Sequence, residues 1–157
     1  MLITRLKIND LAATKRLGVF LADRLQGSDV LALQGGLGAG KSELARAIIG
    51  HLCPDEDDIP SPTFTLVQTY ETADKAPILH FDLYRLEAPE DALELGIEDA
   101  FVEAICLIEW PERLVNYLPE SALTLVIEQA PDDADARVIS LFGDANWQPR
   151  LDGIGDN

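Results

Sequence analysis

The chain has 157 residues, and its apolar fraction of 47% is enough for one domain with a real core. Its formal charge is -16, from 12 basic and 28 acidic residues, and no Lys/Arg cluster offsets that mean, which argues against direct contact with nucleic acid. No apolar run approaches the ~20 residues of a membrane span, the N-terminus has no continuous apolar stretch of the secretory kind, and Cys53 and Cys106 sit in apolar contexts without metal-ligand spacing, so a cytoplasmic chain with reduced, buried thiols and no membrane partner is expected.

Residues 2–8, "LITRLKI", alternate weakly and predict a strand. Asn9 or Asp10 then caps a helix that carries Leu17, Phe20, Leu21 and Leu25 on one face, with Gly27 as its end. "VLALQ" reads as a buried strand entering a glycine loop. The helix after the loop places Leu44, Ala47, Ile48 and Leu52 on one face and stops near Cys53-Pro54. Residues 54–62 form a loop rich in proline and acid. "TFTLVQTYET" and "APILHFDLYRL" predict two strands turning around Ala73–Lys75 as an antiparallel hairpin. "PEDALELGI" starts a helix with proline in its first turn, broken by Gly96. "AICLIEW" is a strand, "PERLVNYL" a short helix, and "ALTLVIEQ" and "ARVISLFG" two strands separated by "APDDAD". Residues 1–143 are expected to form a single domain, and 144–157, polar and rich in Gly and Asp, a mobile tail. Helices alternate with strands early and strands pair directly later, which predicts an α/β fold with a mixed sheet.

Gly35-x-x-x-x-Gly40-Lys41-Ser42 matches the phosphate-binding loop pattern and stands between a buried strand and an amphipathic helix. Glycines let backbone N–H groups curl around phosphate oxygens, and the helix N-terminus adds a favourable dipole. Gly36, Leu37, Gly38, Ala39, Gly40, Lys41, Ser42 and Glu43 are therefore candidate nucleotide-binding residues. Lys41 is expected to reach the β and γ phosphates, and the Ser42 hydroxyl to ligate magnesium. The spacing Gly38-Ala39-Gly40 lacks the third glycine of a dinucleotide fingerprint.

Such a site needs an acid near the magnesium and a group that positions the attacker. On "HFDLYR", His80, Asp82 and Tyr84 share one strand face and Leu79, Phe81 and Leu83 the other, which marks Asp82 on a site-facing strand. Glu109 ends the apolar strand "CLIEW", where ligands of open α/β sheets bind, and is a candidate magnesium ligand. Trp110 next to it either stacks on a base or belongs to the core. The "SPTFTLV" loop offers the hydroxyls of Ser61, Thr63 and Thr65 for a γ-phosphate switch.

The segments "GGLGAGKS", "SPTFTLV", "HFDLYRL" and "IEWPERL", in that order, resemble the bacterial TsaE (YjeE) family over roughly residues 10 to 130. The resemblance implies a P-loop NTPase fold with a mixed, mostly parallel sheet flanked by helices and an antiparallel hairpin. It implies an ATPase, slow alone and dependent on ATP and Mg2+, that acts with the TsaD–TsaB pair in threonylcarbamoyladenosine modification of tRNA and meets tRNA only through that complex. It implies catalytic roles for Asp82, Lys41 and Thr63, a magnesium role for Ser42 and Glu109, and a place beside the adenine for Trp110. Two positions depart from the family pattern: Gly36 stands where Asp is usual, and Glu43 replaces a second Thr after Ser42.

Two other activities fit the loop. A small-molecule kinase would bring several lid arginines onto the transferred phosphate, but the arginines here are scattered, and of them Arg85 falls in the motif that carries Asp82. A nucleotide-sensing module without useful turnover has no need of both Asp82 and Glu109.

Overall fold

The computed structural model describes residues 1–155 except 57, 58, 61, 63 and 64. The elements follow the order β1 (Leu2–Ile8), α1 (Leu11–Arg24), β2 (Val30–Gln34), α2 (Lys41–Leu52), β3 (Val67–Tyr70), β4 (Ile78–Asp82), α3 (Asp91–Glu94), α4 (Ile97–Glu103), β5 (Ile105–Glu109), a 3₁₀ segment (Pro111–Tyr117), β6 (Leu123–Ala130), β7 (Asp133–Phe142) and α5 (Trp147–Arg150). The strands form one 7-stranded sheet in the order β1-β7-β6-β2-β5-β4-β3. Its centre, β6-β2-β5-β4, is parallel, and β7, β1 and β3 add antiparallel pairings outside it. The mixed, mostly parallel α/β sheet and the β3–β4 hairpin agree with the sequence pattern.

Strand alternation sorts the core onto two faces. Leu31 and Leu33 of β2 and Ile105 and Leu107 of β5 pack with Leu17, Phe20 and Leu21 of α1 and Leu44, Ile48 and Ile49 of α2. Val30, Cys106 and Ile108 face the other way, toward Phe81, Ile97, Ala100 and Leu114. Buried on both sides, β2 and β5 need the continuous apolar runs they have. Cys53 lies in the first core and Cys106 in the second, both as free thiols. Burial pushes the Cys106 thiol up to about 12, and burial, with Glu56 and Glu71 nearby, raises that of Cys53.

Helix α1 starts on Asp10, whose side chain accepts from the Ala13 N–H at 2.8 Å. It ends at Leu25, not Gly27, because Lys75 reaches across and donates to the carbonyls of Ala22 and Leu25 at its C-terminus. On α2, Ala45 and Ile49 are buried, whereas Ala47 and Leu52 are only half-buried. The packing stripe is thus rotated from the expected one. Strand β4 stops at Asp82, so Tyr84 is not on its polar face: Leu83 and Leu86 bond in a turn. The expected helix after Pro89 is two elements. Gly96, at φ 77, ends α3 and opens α4, which buries only Ile97 and Ala100.

The tail corrects its expectation. Residues 144–155 are described, and Trp147 and Leu151 enter the first core at 3% and 2% exposure. The Trp147 indole N–H donates to the Ser121 carbonyl at 2.8 Å, and Arg150 bonds the Asp29 carboxylate and the Arg24 carbonyl. Two apolar side chains in a polar stretch are enough to dock it, a signal that mean composition hides. Among the described residues no helix is long and apolar enough to cross a membrane.

Candidate functional site

The glycine loop leaves the end of β2 and turns into α2. Gly38 and Gly40 have φ of 76° and 109°, a left-handed backbone that side chains rarely adopt, and Gly40 caps α2 with no side-chain partner for the helix N-terminus. Gly35 is required for another reason. A Cβ there would lie 2.7 Å from the Ile127 carbonyl oxygen of β6. From β7, Arg137 Nε donates to the Ala39 carbonyl at 3.3 Å and braces the loop from behind. The result is a strand–loop–helix whose amide donors and helix dipole suit an anion. Gly36, Leu37 and Ala39 lie in this loop, and Glu43 is exposed on the first turn of α2, 4.0 Å from Arg46.

Lys41 is the only cation held deep at this point among the described residues, at 5% exposure. Its Nζ donates to the Gly35 carbonyl at 2.6 Å and lies 3.5 Å from the centre of the Trp110 ring. Burial lowers its affinity for the proton, and the carboxylates of Glu109, Glu112 and Asp82 oppose that effect without cancelling it. Trp110 takes a left-handed φ of 59° at the exit of β5, which swings the indole over the loop and against Tyr84, 4.8 Å away between ring centres. The tryptophan therefore covers Lys41, the residue expected to reach the β and γ phosphates. Trp110, expected beside the adenine, thus packs against Lys41 and Tyr84 at the mouth of the loop.

Parallel pairing sets Asp82 opposite Glu109 at the ends of β4 and β5, on the face that carries α2. Both carboxylates are buried, at 4% and 2%. Asp82 Oδ1 accepts from the Tyr84 N–H at 3.1 Å. Ser42 Oγ lies 3.0 and 3.2 Å from the two carboxylate oxygens of Glu109. That spacing suits magnesium, because adjacent ligands of an octahedral ion with bonds of about 2.0–2.1 Å stand about 2.9 Å apart. A hydroxyl and a carboxylate are the hard oxygen donors the ion prefers, so Ser42 and Glu109 would be able to hold it. Thr63, the third expected catalytic residue, lies outside the described residues.

Sequence patterns missed three residues here. His80 shares the Asp82 face but drew no role; its Nε2 is 2.7 Å from Glu109 Oε2. Glu112 stands close enough to influence Lys41. Arg137 comes from a distant strand, and no local pattern links it to the loop. Beside Gly40 and Glu43, away from Lys41 and Trp110, a pocket of about 210 Å³ opens between the loop and the start of α1, with Leu11, Thr14 and Ile139 among its walls.

Residues 8–139 match the family model described as "Threonylcarbamoyl adenosine biosynthesis protein TsaE". The chain belongs to the TsaE family. Among its relatives are TsaE of Rickettsia felis, 38% identical over 92% of this chain and 83% of that protein, and TsaE of Haemophilus influenzae, 44% identical over 73% and 70%. Both bear the name tRNA threonylcarbamoyladenosine biosynthesis protein. The crystal structure of Bacillus subtilis YdiB superposes with a TM-score of 0.76 at 28% identity, covering 96% of this chain and 93% of that one. The fold is that of the P-loop NTPases.

Proposed function

We propose that this TsaE protein binds ATP with Mg2+, hydrolyses it slowly on its own, and couples faster hydrolysis to the TsaD–TsaB pair during threonylcarbamoyladenosine modification of tRNA in the cytoplasm. The observation that carries the reading is the convergence of Lys41, Ser42, Asp82 and Glu109, drawn from α2, β4 and β5, at the mouth of a glycine loop. The roles follow from chemistry. Loop amides and Lys41 neutralise the phosphate chain. Ser42 and Glu109 would hold Mg2+, which would supply screening of the charge developing on the phosphates. Asp82, set opposite Glu109 by the pairing of β4 with β5, accepts a proton from or orients the attacking water. Because Lys41 and Trp110 mark the β/γ end, the nucleoside extends the other way, past Glu43, into the pocket walled by Leu11, Thr14 and Ile139.

The deciding experiment is phosphate release from ATP and Mg2+, with and without purified TsaD–TsaB and tRNA. Strong stimulation by the pair is expected. Asp82→Ala is expected to keep nucleotide binding and to lose turnover by about 100-fold or more, the usual weight of a positioned acid–base group. Unchanged slow turnover with the partners present would remove the coupling role, and accumulation of a phosphorylated metabolite would make the protein a kinase.

A further inference from the structure

His80 lies on the interior strand β4 and is 0% exposed. Buried polar atoms in folded proteins almost always have partners. Here the ring has one on Nε2, the Glu109 carboxylate at 2.7 Å, and its buried Nδ1 has none among the described residues. A leucine or phenylalanine would fill the same space without stranding a nitrogen, so packing does not account for the side chain. What it contributes is the Nε2 contact. With the hydrogen on Nε2, the ring donates to a carboxylate oxygen; with the hydrogen on Nδ1, two lone pairs would face each other at 2.7 Å and an N–H would be buried without an acceptor.

The contact fixes one end of a flexible carboxylate. Glu109 Oε2 is tied to His80, and Ser42 Oγ lies nearer to Oε1, at 3.0 Å, than to Oε2, at 3.2 Å. Ser42 and Glu109 hold each other only through the Ser42 hydrogen, a bond that both oxygens must give up to share a cation. The His80 bond makes no such exchange, because it approaches from the neighbouring strand. Loss of a group that orients a metal-binding side chain from behind typically lowers metal affinity about 10–100-fold.

We propose that His80 is a positioning residue: its Nε2–H keeps Glu109 Oε1 turned toward Ser42 and thereby sets the affinity for the divalent cation that accompanies the nucleotide. The proposal rests on Ser42 and Glu109 being the magnesium site of the proposed function.

The test is calorimetric titration of Mg2+ into the full chain saturated with ADP, for wild type, His80→Ala and His80→Gln, beside ADP binding in the absence of Mg2+. His80→Ala is expected to weaken Mg2+ by about tenfold or more and to leave Mg2+-free ADP binding unchanged. His80→Gln, whose amide N–H can reach the same oxygen, is expected to recover most of the loss. Wild-type Mg2+ affinity in a folded His80→Ala variant overturns the proposal, and so does a glutamine variant no better than alanine. Should the alanine variant fail to fold, imidazole nitrogen resonances of the wild type decide. Protonation at Nε2, with a shift on adding Mg2+ to the ADP complex, supports the role; protonation at Nδ1 defeats it. A wild type that binds no ADP defeats the nucleotide reading itself, whereas one that binds Mg2+ and ADP independently of His80 defeats only this inference.

Discussion

The ammonium of Lys41 sits where burial and charge pull in opposite directions. Burial is the larger effect and lowers its pKa below 10.5, while Glu109, Glu112 and Asp82 pull it back up. A basic group with a lowered folded pKa costs stability when charged. That cost is full below the lowered value, is relieved as pH rises through it, and is gone above the ordinary value of 10.5. Lys41→Met keeps the stem and its contact with the Trp110 ring but removes the charge. Without nucleotide, relief of the buried charge is expected to outweigh the lost bond to the Gly35 carbonyl and leave the variant more stable than wild type at pH 7, by about 0.5–1 kcal/mol, the low end of common stabilising substitutions. The gap should close as the pH approaches 10. Nucleotide affinity should fall by at least tenfold, since a charge-assisted hydrogen bond is worth about 1.5–3 kcal/mol. Denaturant melts of both proteins at the two pH values read the stability difference. A gap that stays constant or widens with pH would mean that the desolvated charge is not its source.

At the scale of the element, the glycine loop separates two kinds of glycine that its sequence does not distinguish. Gly35 packs against β6, and an added Cβ would meet the Ile127 carbonyl oxygen at 2.7 Å, a backbone atom that cannot swing aside. Gly36 has nothing within 4 Å and no left-handed φ. Gly35→Ala is therefore expected to destabilise the chain by about 1–3 kcal/mol, the usual cost of overpacking. Gly36→Ala should stay within about 0.5 kcal/mol of wild type. Thermal melts of the two variants test the contrast, and equal losses would contradict the packing argument. The strand–loop–helix itself was legible because each part is local: an apolar run, glycines, then helical spacing. So were β2 and β5, whose continuous apolar runs reflect burial on both faces. Ser42 and Glu109 were expected to share one magnesium, but the approach of His80 to Glu109 was not legible, because it depends on the parallel register that sets Asp82 against Glu109. The place of Trp110 was hidden for a different reason. It follows from a left-handed turn at a residue that rarely adopts one, and tertiary packing imposes that choice. Helix α4 and the docked tail escaped detection because each buries only two or three side chains amid many polar ones.

Across the whole molecule, the charge of -16 understates how little free positive surface remains. Several of the 12 cations are occupied within the fold. Lys41 is buried in the loop, Lys75 donates to the carbonyls at the end of α1, Arg137 binds the Ala39 carbonyl, and Arg150 pairs with Asp29. The helices on the second face are acidic, with Asp91 and Glu94 on α3 and Glu98, Asp99 and Glu103 on α4. Phosphate contacts supply most non-specific affinity for nucleic acid, and each needs a free cation. Under the proposed function, a protein of this charge is expected to reach tRNA through partners that carry the basic surface. The chain alone is expected to show no retention of tRNA in filter-binding assays at 0.15 M salt, with dissociation constants above the roughly 10⁻⁴–10⁻⁶ M typical of non-specific binders. Adding TsaD–TsaB should bring TsaE and tRNA into one complex, and raising the salt should release the tRNA before it separates the proteins. Retention of tRNA by the chain alone, weakened by salt, would reveal a local basic patch strong enough to override the mean charge, and the indirect role would fall.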